Sequence, residues 1–338
     1  MKAIFLIRHG SPENSFSFRE IPMPICKPDE VMIKVKASGI NFADVMIRKN
    51  LYEGAPDLPA VIGFDVVGIV EELGTNVREF AKGDRVVAMC KFGGYSEYIC
   101  SPFYGVVKVP ESINDLDALA LPVQYLTAYY AGEKLVTLNE GDRVLVHAGS
   151  GGLGGALIQY ALNKKCTVFS TAGSGEKIQL LHNMGVHYPI NYTTTDFKNE
   201  IQRLTHGKGV DVVFDGIGGS NARKSFKSLS TGGRLVLHGA SALSSGNLFQ
   251  KLFQLLSFGI YHPVMLMMPS KSILGVNMLE LANDKPEFVG NMLREVVQFT
   301  EKGIFDPKIA HQFPVSEIAR AHALLESRNL HGKACIIW

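Results

Sequence analysis

The sequence predicts an α/β chain with two domains, one mostly antiparallel β and the other a doubly wound parallel sheet. Glycine and proline break residues 1–109 into short β-branched runs, whereas apolar runs alternate with helical stretches from about Val144 onward. A glycine-rich loop joins the first of these apolar runs to a helix. We expect the first domain to comprise residues 1–123 and 268–338, and the second to comprise residues 124–267.

The first domain is expected to consist of short strands joined by turns. Residues 1–8 predict an opening strand, and the runs 31–35 and 66–70 predict two more. The tail from Phe288 predicts a helix, a loop marked by proline and a last strand at 334–337. This tail has neither a repeat nor a linker-like composition, and we expect it to rejoin the first domain.

The second domain has the alternation that is typical of a parallel sheet with crossover helices. Strands are expected at 144–148, 167–171, 189–192, 210–215 and 235–238. One more strand is expected at 272–277, in the segment that follows this domain.

Composition and charge favour a protein that acts on small, neutral molecules. The 338 residues include 34 lysines and arginines against 32 aspartates and glutamates, and no run of like charges indicates a nucleic-acid partner. The N-terminus has too few apolar residues before Arg8 for a secretory signal. The five cysteines are scattered without a Cys-x-x-Cys pair, which favours reduced thiols in the cytoplasm and no structural zinc.

The segment 248–268 is unusually apolar. Polar residues and Pro263 interrupt it, so it lacks the roughly 20 uninterrupted apolar residues of a membrane-spanning helix. Two alternatives stay open: a helix and loop packed in the core or a subunit interface, or an exposed apolar lip over a ligand cleft or on a membrane surface.

A glycine loop carries the strongest functional signal. The apolar run 143–148 leads into Gly149-Ser150-Gly151-Gly152-Leu153-Gly154 and then into an apolar helical stretch. This is the strand, Gly-x-Gly-x-x-Gly and helix of a dinucleotide-binding fingerprint. The glycines let the backbone turn tightly and approach a pyrophosphate, whose charge then faces the free N–H groups of the following helix.

The end of the second strand selects the dinucleotide. NAD-binding chains carry an acidic residue there for the ribose 2′-hydroxyl, whereas this chain has small hydroxylated residues followed by Lys177. Ser174 and Lys177 would accept a 2′-phosphate, which favours NADPH over NADH. Glu176 would reverse the preference if it faced the ribose, and the alternative for Lys177 is a solvated lysine in the first helical turn.

Several motifs resemble those of one family in order and spacing. They are Ala37-Ser38-Gly39-Ile40-Asn41-Phe42-Ala43-Asp44, Gly63-Phe64-Asp65-Val66-Val67-Gly68-Ile69-Val70, Gly83-Asp84-Arg85-Val86, Gly94-Tyr95-Ser96-Glu97-Tyr98, Ile190-Asn191-Tyr192, Asp215-Gly216-Ile217-Gly218-Gly219 and Ala321-His322-Ala323. With the glycine loop they cover nearly the whole chain, which is similar in this respect to the medium-chain dehydrogenase/reductase superfamily. The resemblance implies a GroES-like β domain, a Rossmann domain, and homodimers in which the strand at 272–277 pairs with its symmetry mate. The apolar run itself fits a buried strand of a monomer equally well.

The positions of a catalytic zinc site are altered. Zinc dehydrogenases that resemble this chain carry a cysteine near Asn41 and a Gly-His-Glu motif where this chain has Gly63-Phe64-Asp65. Neither Asn41 nor Phe64 supplies a thiolate or imidazole ligand, and Asp65 alone cannot hold the ion. We therefore expect no metal, and the resemblance is closer to the zinc-free quinone oxidoreductase branch and, within it, to the VAT-1-like subgroup.

The resemblance implies a zinc-independent NADPH:quinone or conjugated enone oxidoreductase that transfers hydride in a cleft between the domains. Without a metal, hydrogen-bond donors or the acceptor's own electrophilicity must activate it. The implied catalytic residues are Asn41, Tyr52 and Thr127. The implied cofactor-binding residues are Asn41, Gln124, Thr127, Gly151, Gly152, Leu153, Gly154, Ser174, Lys177, Tyr192 and Gly239.

Other roles stay open for these residues. The alternatives are that Asn41 satisfies backbone groups in a turn, Tyr52 is a packing residue, Asp44 is a helix cap and Gln124 ties strands together. A different class of function also stays open, because a VAT-1-like, membrane-associated or lipid-associated nucleotide-binding protein would use the apolar segment rather than reduce a quinone.

Overall fold

The computed structural model describes residues 1–244, 253 and 255–338. Its strands are β1 (Lys2–Leu6), β2 (Phe16–Glu20), β3 (Glu30–Ile40), β4 (Ala60–Val61), β5 (Asp65–Leu73), β6 (Arg85–Met89), β7 (Tyr98–Pro102), β8 (Val106–Lys108), β9 (Arg143–Val146), β10 (Thr167–Ala172), β11 (Tyr188–Asn191), β12 (Val210–Asp215), β13 (Leu229–Leu237), β14 (Ser272–Gly275), β15 (Ile309–Pro314) and β16 (Lys333–Ile337). Its α-helices are α1 (Phe42–Arg48), α2 (Asp115–Ala118), α3 (Leu126–Tyr129), α4 (Gly152–Asn163), α5 (Gly175–Asn183), α6 (Phe197–Leu204), α7 (Gly219–Lys227), α8 (Pro263–Met267), α9 (Met278–Asp284), α10 (Pro286–Glu301) and α11 (Ile318–Glu326).

The first compact unit comprises Met1–Leu126 and Met278–Trp338. One of its sheets has the strand order β2-β1-β4, and the other has the order β15-β16-β3-β5-β6-β8, with β7 also paired to β3. Most of these pairs are antiparallel, as the turn-rich sequence predicts. Ile4, Ile33 and Val66 are fully buried and belong to the core of this unit.

The C-terminal tail rejoins the first unit, as expected. Strand β16 runs antiparallel to β3 and places Ala334 opposite Ile40, while β15 pairs with β16 in parallel. Lys333, at the start of β16, therefore lies beside the end of β3.

The second unit, Thr127–Asn277, contains a parallel sheet with the order β11-β10-β9-β12-β13-β14. The first strand in sequence lies in the middle, and later strands are added outward on both sides, which is the doubly wound order of the Rossmann fold. Val144, Leu145 and Val146 of β9 are all fully buried because helices cover both faces of such a sheet. The predicted fold class is confirmed.

The limit of the second unit differs from the expected one at residue 267. Strand β14 pairs in parallel with β13, with Ser272 opposite Arg234 and Gly275 opposite Leu237, so the unit extends to Asn277. The backbone hydrogen bonds of this edge strand assign it to the parallel sheet, although it follows the apolar segment in sequence.

Part of the apolar segment, 248–252 and 254, lies outside the described residues. Its described large apolar side chains that are exposed are Phe253, Leu255, Leu256, Ile260, Val264, Met265, Met267 and Met268. In the part of the chain that the structure describes, no helix has the length and hydropathy needed to span a bilayer. The described part thus fits the exposed alternative better than the buried one.

Candidate functional site

The glycine loop connects β9 to α4 through a tightly packed turn. Ala148 adopts a left-handed backbone (φ 53°), and Gly151 caps α4 without a side-chain hydrogen bond. A methyl group at Gly154 would overlap the Ala148 carbonyl oxygen and lie 2.8 Å from the Gly149 Cα. The first-turn N–H groups of α4, to which Gly152, Leu153 and Gly154 belong, therefore have no capping side chain, as an anion site requires.

Three predicted residues lie at the carboxyl ends of the neighbouring strands. Ser174 caps α5 and accepts a hydrogen bond from the Lys177 N–H at 3.4 Å. The Tyr192 hydroxyl lies against Gly173, where any side chain would displace it. Burial lowers the pKa of the Lys177 ammonium, whereas Glu176 is exposed.

Gly239 lies on the other side of β9, at the ends of β12 and β13. A methyl group at Gly239 would lie 2.9 Å from the carbonyl oxygen of Gly216, so the two glycines let these loops approach closely. The neighbouring His238 ring is buried, and burial lowers its pKa to about 4. Among the described residues, the His238 Nε2 has no hydrogen-bond partner.

A buried network that the sequence analysis missed holds these strand ends together. The His147 Nδ1 lies 3.0 Å from the Thr171 hydroxyl and its Nε2 lies 2.9 Å from the Ser225 hydroxyl. Ser225 donates its proton to Asp215 at 2.8 Å, so its oxygen must accept from the His147 Nε2–H. Burial lowers the His147 pKa and keeps this ring neutral. The feature of the sequence that could have revealed this network is His147, a histidine directly after the buried strand β9.

In the first unit, Asn41 belongs to a fully buried cluster of complementary groups. Lys333 donates to the Asn41 Oδ1 at 2.7 Å and to the Asp65 Oδ2 at 2.5 Å, and the Asn41 amide donates to the Asp65 Oδ1 at 2.6 Å. Lys333 and Asp65 side chains are both 0% exposed. Gly39 lacks the side chain that would overlap the Asp65 carboxylate. The cluster leaves one amide N–H of Asn41 to donate elsewhere.

Asp44 caps the helix that starts after Asn41. Its Oδ2 accepts the Asn41 backbone N–H at 2.8 Å. Burial raises the pKa of the Asp44 carboxyl to about 7, and Asp65 adds to this rise while the Asn41 N–H and Lys333 oppose it. Burial raises the pKa of the Tyr95 hydroxyl, and Asp44 adds to this rise. This hydroxyl lies 3.2 Å from the His322 Nε2.

Of the remaining predicted residues, Tyr52 and Gln124 lie in the first unit and Thr127 lies in the second. Tyr52 is half-buried with its ring centroid 5.9 Å from that of Phe64, and burial raises the pKa of its hydroxyl. Gln124 lies in a π-helical turn, Leu121–Tyr125, and its buried Oε1 has no partner among the described residues. Thr127 is buried in α3 of the second unit.

The described residues offer no group of three or more histidine, cysteine, aspartate or glutamate side chains that could hold a metal ion. At the position of the altered zinc motif, an ammonium group, Lys333 Nζ, binds Asn41 and Asp65. Lys333 and Asp65 therefore form a buried ion pair at this position, and Asn41 is hydrogen-bonded to both.

Comparison with known proteins places this architecture in one family. A family model described as the alcohol dehydrogenase GroES-like domain matches residues 27–111, and one described as zinc-binding dehydrogenase matches residues 152–295. The quinone oxidoreductase of Homo sapiens is 30% identical over 100% of this chain and 98% of its own length.

Two further comparisons agree. The synaptic vesicle membrane protein VAT-1 homolog of Danio rerio is 31% identical over 92% of this chain, which spans 64% of that protein's length. The crystal structure of Escherichia coli quinone oxidoreductase complexed with NADPH has a TM-score of 0.88 at 27% identity, with both chains covered completely. The chain belongs to the medium-chain dehydrogenase/reductase superfamily, with quinone oxidoreductases and VAT-1 homologues among its relatives.

Proposed function

We propose that this chain is a zinc-independent NADPH:quinone oxidoreductase that also accepts conjugated enones. The observation that carries the proposal is the uncapped glycine turn before α4, together with Ser174, Lys177 and Tyr192 at the neighbouring strand ends. NADPH, when bound, supplies the hydride. The E. coli relative, whose crystals contain NADPH, supports the choice of cofactor.

The residues at the glycine turn fit the phosphates of such a cofactor. The backbone N–H groups of Gly152, Leu153 and Gly154 would hold the pyrophosphate, and the Lys177 ammonium with the Ser174 hydroxyl would hold the 2′-phosphate. Because Gly239 and Gly151 have no side chains, the backbone at these positions could approach the cofactor closely. The unpartnered Gln124 Oε1 supports a role for the turn Leu121–Tyr125 in binding the nicotinamide amide.

The chemistry of the substituted residues supports the proposed zinc independence. Asn41 and Phe64 supply neither thiolate nor imidazole, and Lys333 brings a positive charge to the remaining carboxylate, Asp65. A divalent cation there would meet an ammonium group within hydrogen-bond distance of the same oxygen atoms. Activation of the acceptor is thus left to hydrogen-bond donors and to the acceptor itself.

Two donors can act on a substrate oxygen in the first unit. The Tyr52 hydroxyl can donate a hydrogen bond, and burial and the Asp44 charge raise its pKa further above neutral pH. Asn41 retains one amide N–H, held in orientation by Asp65 and Lys333. Electrophilic carbonyl compounds need only such modest assistance, which is why quinones and conjugated enones are the proposed acceptors.

The direct test is anaerobic oxidation of NADPH with ortho-quinones, para-quinones and enals, followed by product analysis. We expect turnover with at least one quinone class and a reduction of about 10- to 100-fold in kcat for Tyr52→Phe with little change in NADPH affinity. Calorimetry that detects no NADPH binding, or binding without turnover of any acceptor, would contradict the enzyme assignment.

The cofactor preference is tested by Lys177→Glu. We expect the Kd for NADPH to rise by about 100-fold and that for NADH to change by less than about threefold, because only NADPH has the 2′-phosphate. Glu176→Gln, one residue away and exposed, is the matched control and should leave both affinities unchanged. Equal losses for both cofactors in Lys177→Glu would contradict the assignment of Lys177 to the 2′-phosphate, and a selective loss of NADH binding in the control would assign the ribose to Glu176.

We also propose a homodimer in the cytoplasm. Strand β14 is at the edge of the described parallel sheet, paired with β13 on one side, and this supports pairing with a second copy on the other. Light scattering should give twice the 37.0 kDa of one chain. A monomeric mass at micromolar concentration would count against it.

A second candidate function is supported by the apolar side chains of the described part of 248–268. Arg223 and Lys227 of α7 line a cavity together with Leu256, Ile260 and Met265. Basic and apolar groups side by side suit a membrane with anionic lipids. The unchanged chain should co-sediment with phosphatidylserine-containing vesicles, and the Leu255→Asp/Leu256→Asp double variant should not. If the protein does not bind membranes, neither the unchanged chain nor the double variant will sediment with the vesicles.

A further inference from the structure

Two of the five cysteines, Cys26 and Cys100, meet in the first unit, and neither belongs to the candidate sites described above. Cys26 lies between β2 and β3, and Cys100 lies in β7, where it is opposite Met32 of β3. Their sulfur atoms are 2.8 Å apart although 74 positions separate them in sequence. Cys90, Cys166 and Cys335 are buried and free.

This separation is close to that of a covalent bond. A disulfide has an S–S distance of about 2.05 Å, so the two sulfurs need to approach by about 0.8 Å. Both thiols are half-buried rather than enclosed, and the neighbours of Cys26, Ile25 and Lys27, are exposed. We propose that Cys26 and Cys100 form a redox modification site, which closes to an intramolecular disulfide on reaction with a low-molecular-weight disulfide such as oxidised glutathione.

The chemistry balances without a cofactor. The thiolate of one cysteine attacks oxidised glutathione, forms a mixed disulfide and releases one glutathione thiolate. The second cysteine then attacks the protein sulfur of that mixed disulfide, which forms the Cys26–Cys100 bond and releases the second glutathione. Both protein protons end on the two glutathione molecules, and the two electrons lost by the protein sulfurs reduce the oxidant.

The surroundings predict a slow reaction that accelerates with pH. Burial raises the pKa of both thiols, and Glu30 and Glu72 add to the rise. The reactive thiolate is therefore a small fraction at neutral pH, and its concentration increases about tenfold per pH unit. Metal binding does not compete, because the described residues place no third ligand of the histidine, cysteine, aspartate or glutamate type with this pair.

The test is oxidation of the folded, full-length chain with oxidised glutathione between pH 7 and pH 9. After trapping free thiols, mass spectrometry of peptides produced without reductant should identify a linked pair containing Cys26 and Cys100. The thiol count in denaturant should fall from five to three and return to five with dithiothreitol. The oxidised protein should also have a higher Tm, because the bond restricts a long loop of the unfolded chain.

Single variants separate this pairing from general thiol oxidation. Cys26→Ser and Cys100→Ser should each abolish the linked peptide, and each should leave a mixed disulfide with glutathione on the remaining cysteine. Cys166→Ser, in the other unit, is the matched control and should form the Cys26–Cys100 bond at the rate of the unchanged chain. Stable glutathione adducts in the unchanged chain, or a link that involves Cys90 instead, would overturn the proposal.

Discussion

Lys333 and Asp65 place opposite charges where water cannot reach them. Removing two ions from water is costly, and the attraction between them offsets this cost only when both are present and hydrogen-bonded. Asn41 completes the set, because it accepts from Lys333 and donates to Asp65. The orientation of the Asn41 amide therefore depends on a charge pair as well as on the position of Asn41 at the start of α1.

This dependence predicts the outcome of a mutant cycle. Lys333→Met should lower the free energy of unfolding by about 3–5 kcal/mol, because it leaves the Asp65 carboxylate buried without a counter-charge. Adding Asp65→Asn to this variant should restore more than half of the loss, which urea denaturation measures. If the double variant were less stable than Lys333→Met alone, the charge imbalance could not be the cause.

Asp44 should make stability depend on pH in an unusual direction. Its pKa is about 7 in the folded chain and near 3.8 when unfolded, so the folded state holds the proton more tightly between these values. The stability that Asp44 contributes therefore falls as the pH rises from about 4 to 7 and is constant above that. Asp44→Asn keeps an oxygen to accept the Asn41 N–H but does not titrate.

We expect the stability of Asp44→Asn, relative to the unchanged chain, to improve by about 2 kcal/mol between pH 5 and pH 8. Urea denaturation at four pH values measures this difference. Parallel stability curves for the two proteins would show that the carboxyl has an ordinary pKa.

At the residue level, sequence reasoning located Asn41, Asp65 and Asp44 but not what binds them. Lys333 is 292 positions from Asn41, and no local pattern distinguishes it from a lysine at a strand end. The partner is determined by the pairing of β16 with β3, which is a property of the tertiary fold. The Gly-x-Gly-x-x-Gly motif needed no such knowledge, because its requirement for glycine arises within one turn.

Two neighbouring glycines after β9, Gly154 and Gly155, differ in the space that is available for a side chain. A methyl group at Gly154 overlaps backbone atoms of Ala148 and Gly149, whereas one at Gly155 makes ordinary contacts, with the flexible end of Met184 at 3.5 Å and the Gly149 carbonyl oxygen at 3.9 Å. Gly154→Ala should therefore weaken NADPH binding by about tenfold or more and destabilise the second unit. Gly155→Ala should preserve binding and add up to about 1 kcal/mol through helix propensity.

Fluorescence titration with NADPH and urea denaturation of both variants measure these effects. Equal behaviour of the two variants would mean that the close approach of Gly154 to the loop is not needed for binding.

At the level of elements, β3 and β5 extend to Ile40 and Leu73, beyond the predicted ends at 35 and 70, whereas the strands of the parallel sheet were predicted within two residues. Strand β13 was the exception in that sheet, because it begins at Leu229 and not at 235. Its first half is Ser230-Thr231-Gly232-Gly233, and the register with β12 shifts there. Polar residues in an irregular strand lack the apolar signal on which the prediction relies.

For the whole molecule, the alternation of strands and helices was sufficient to predict the doubly wound sheet. The return of the tail was expected because the composition of the tail resembles neither a repeat nor a linker. The place of β14 was not predictable in this way, because its four residues follow the segment 248–268 and could continue either unit. The hydrogen bonds to β13 assign β14 to the second unit, and sequence periodicity contains no information about this pairing.

The two units should differ in their response to acid. His147 and His238 of the second unit have pKa values lowered by burial, so the unfolded state binds more protons below about pH 6.5 and stability falls. His322 and His311 act likewise in the first unit, but Asp44 there acts with the opposite sign in the same pH range. The second unit should therefore lose more stability between pH 6.5 and pH 5.

Hydrogen exchange, corrected for the intrinsic pH dependence of amide exchange, should show greater loss of protection in β9, β10 and β12 than in β3, β5 and β6. Asp44→Asn should reduce the difference between the units. Equal losses in both units of the unchanged chain would contradict this account.

The position of Lys333 in the sequence also has a consequence for how the chain is made. Asp65 is translated 268 residues before the lysine that neutralises it, and the whole of the second unit is translated between them. Until Lys333 has been translated, the Asp65 carboxylate has no counter-charge with which it could be buried. The second unit can thus finish folding on the ribosome before the last strand of the first unit has been translated.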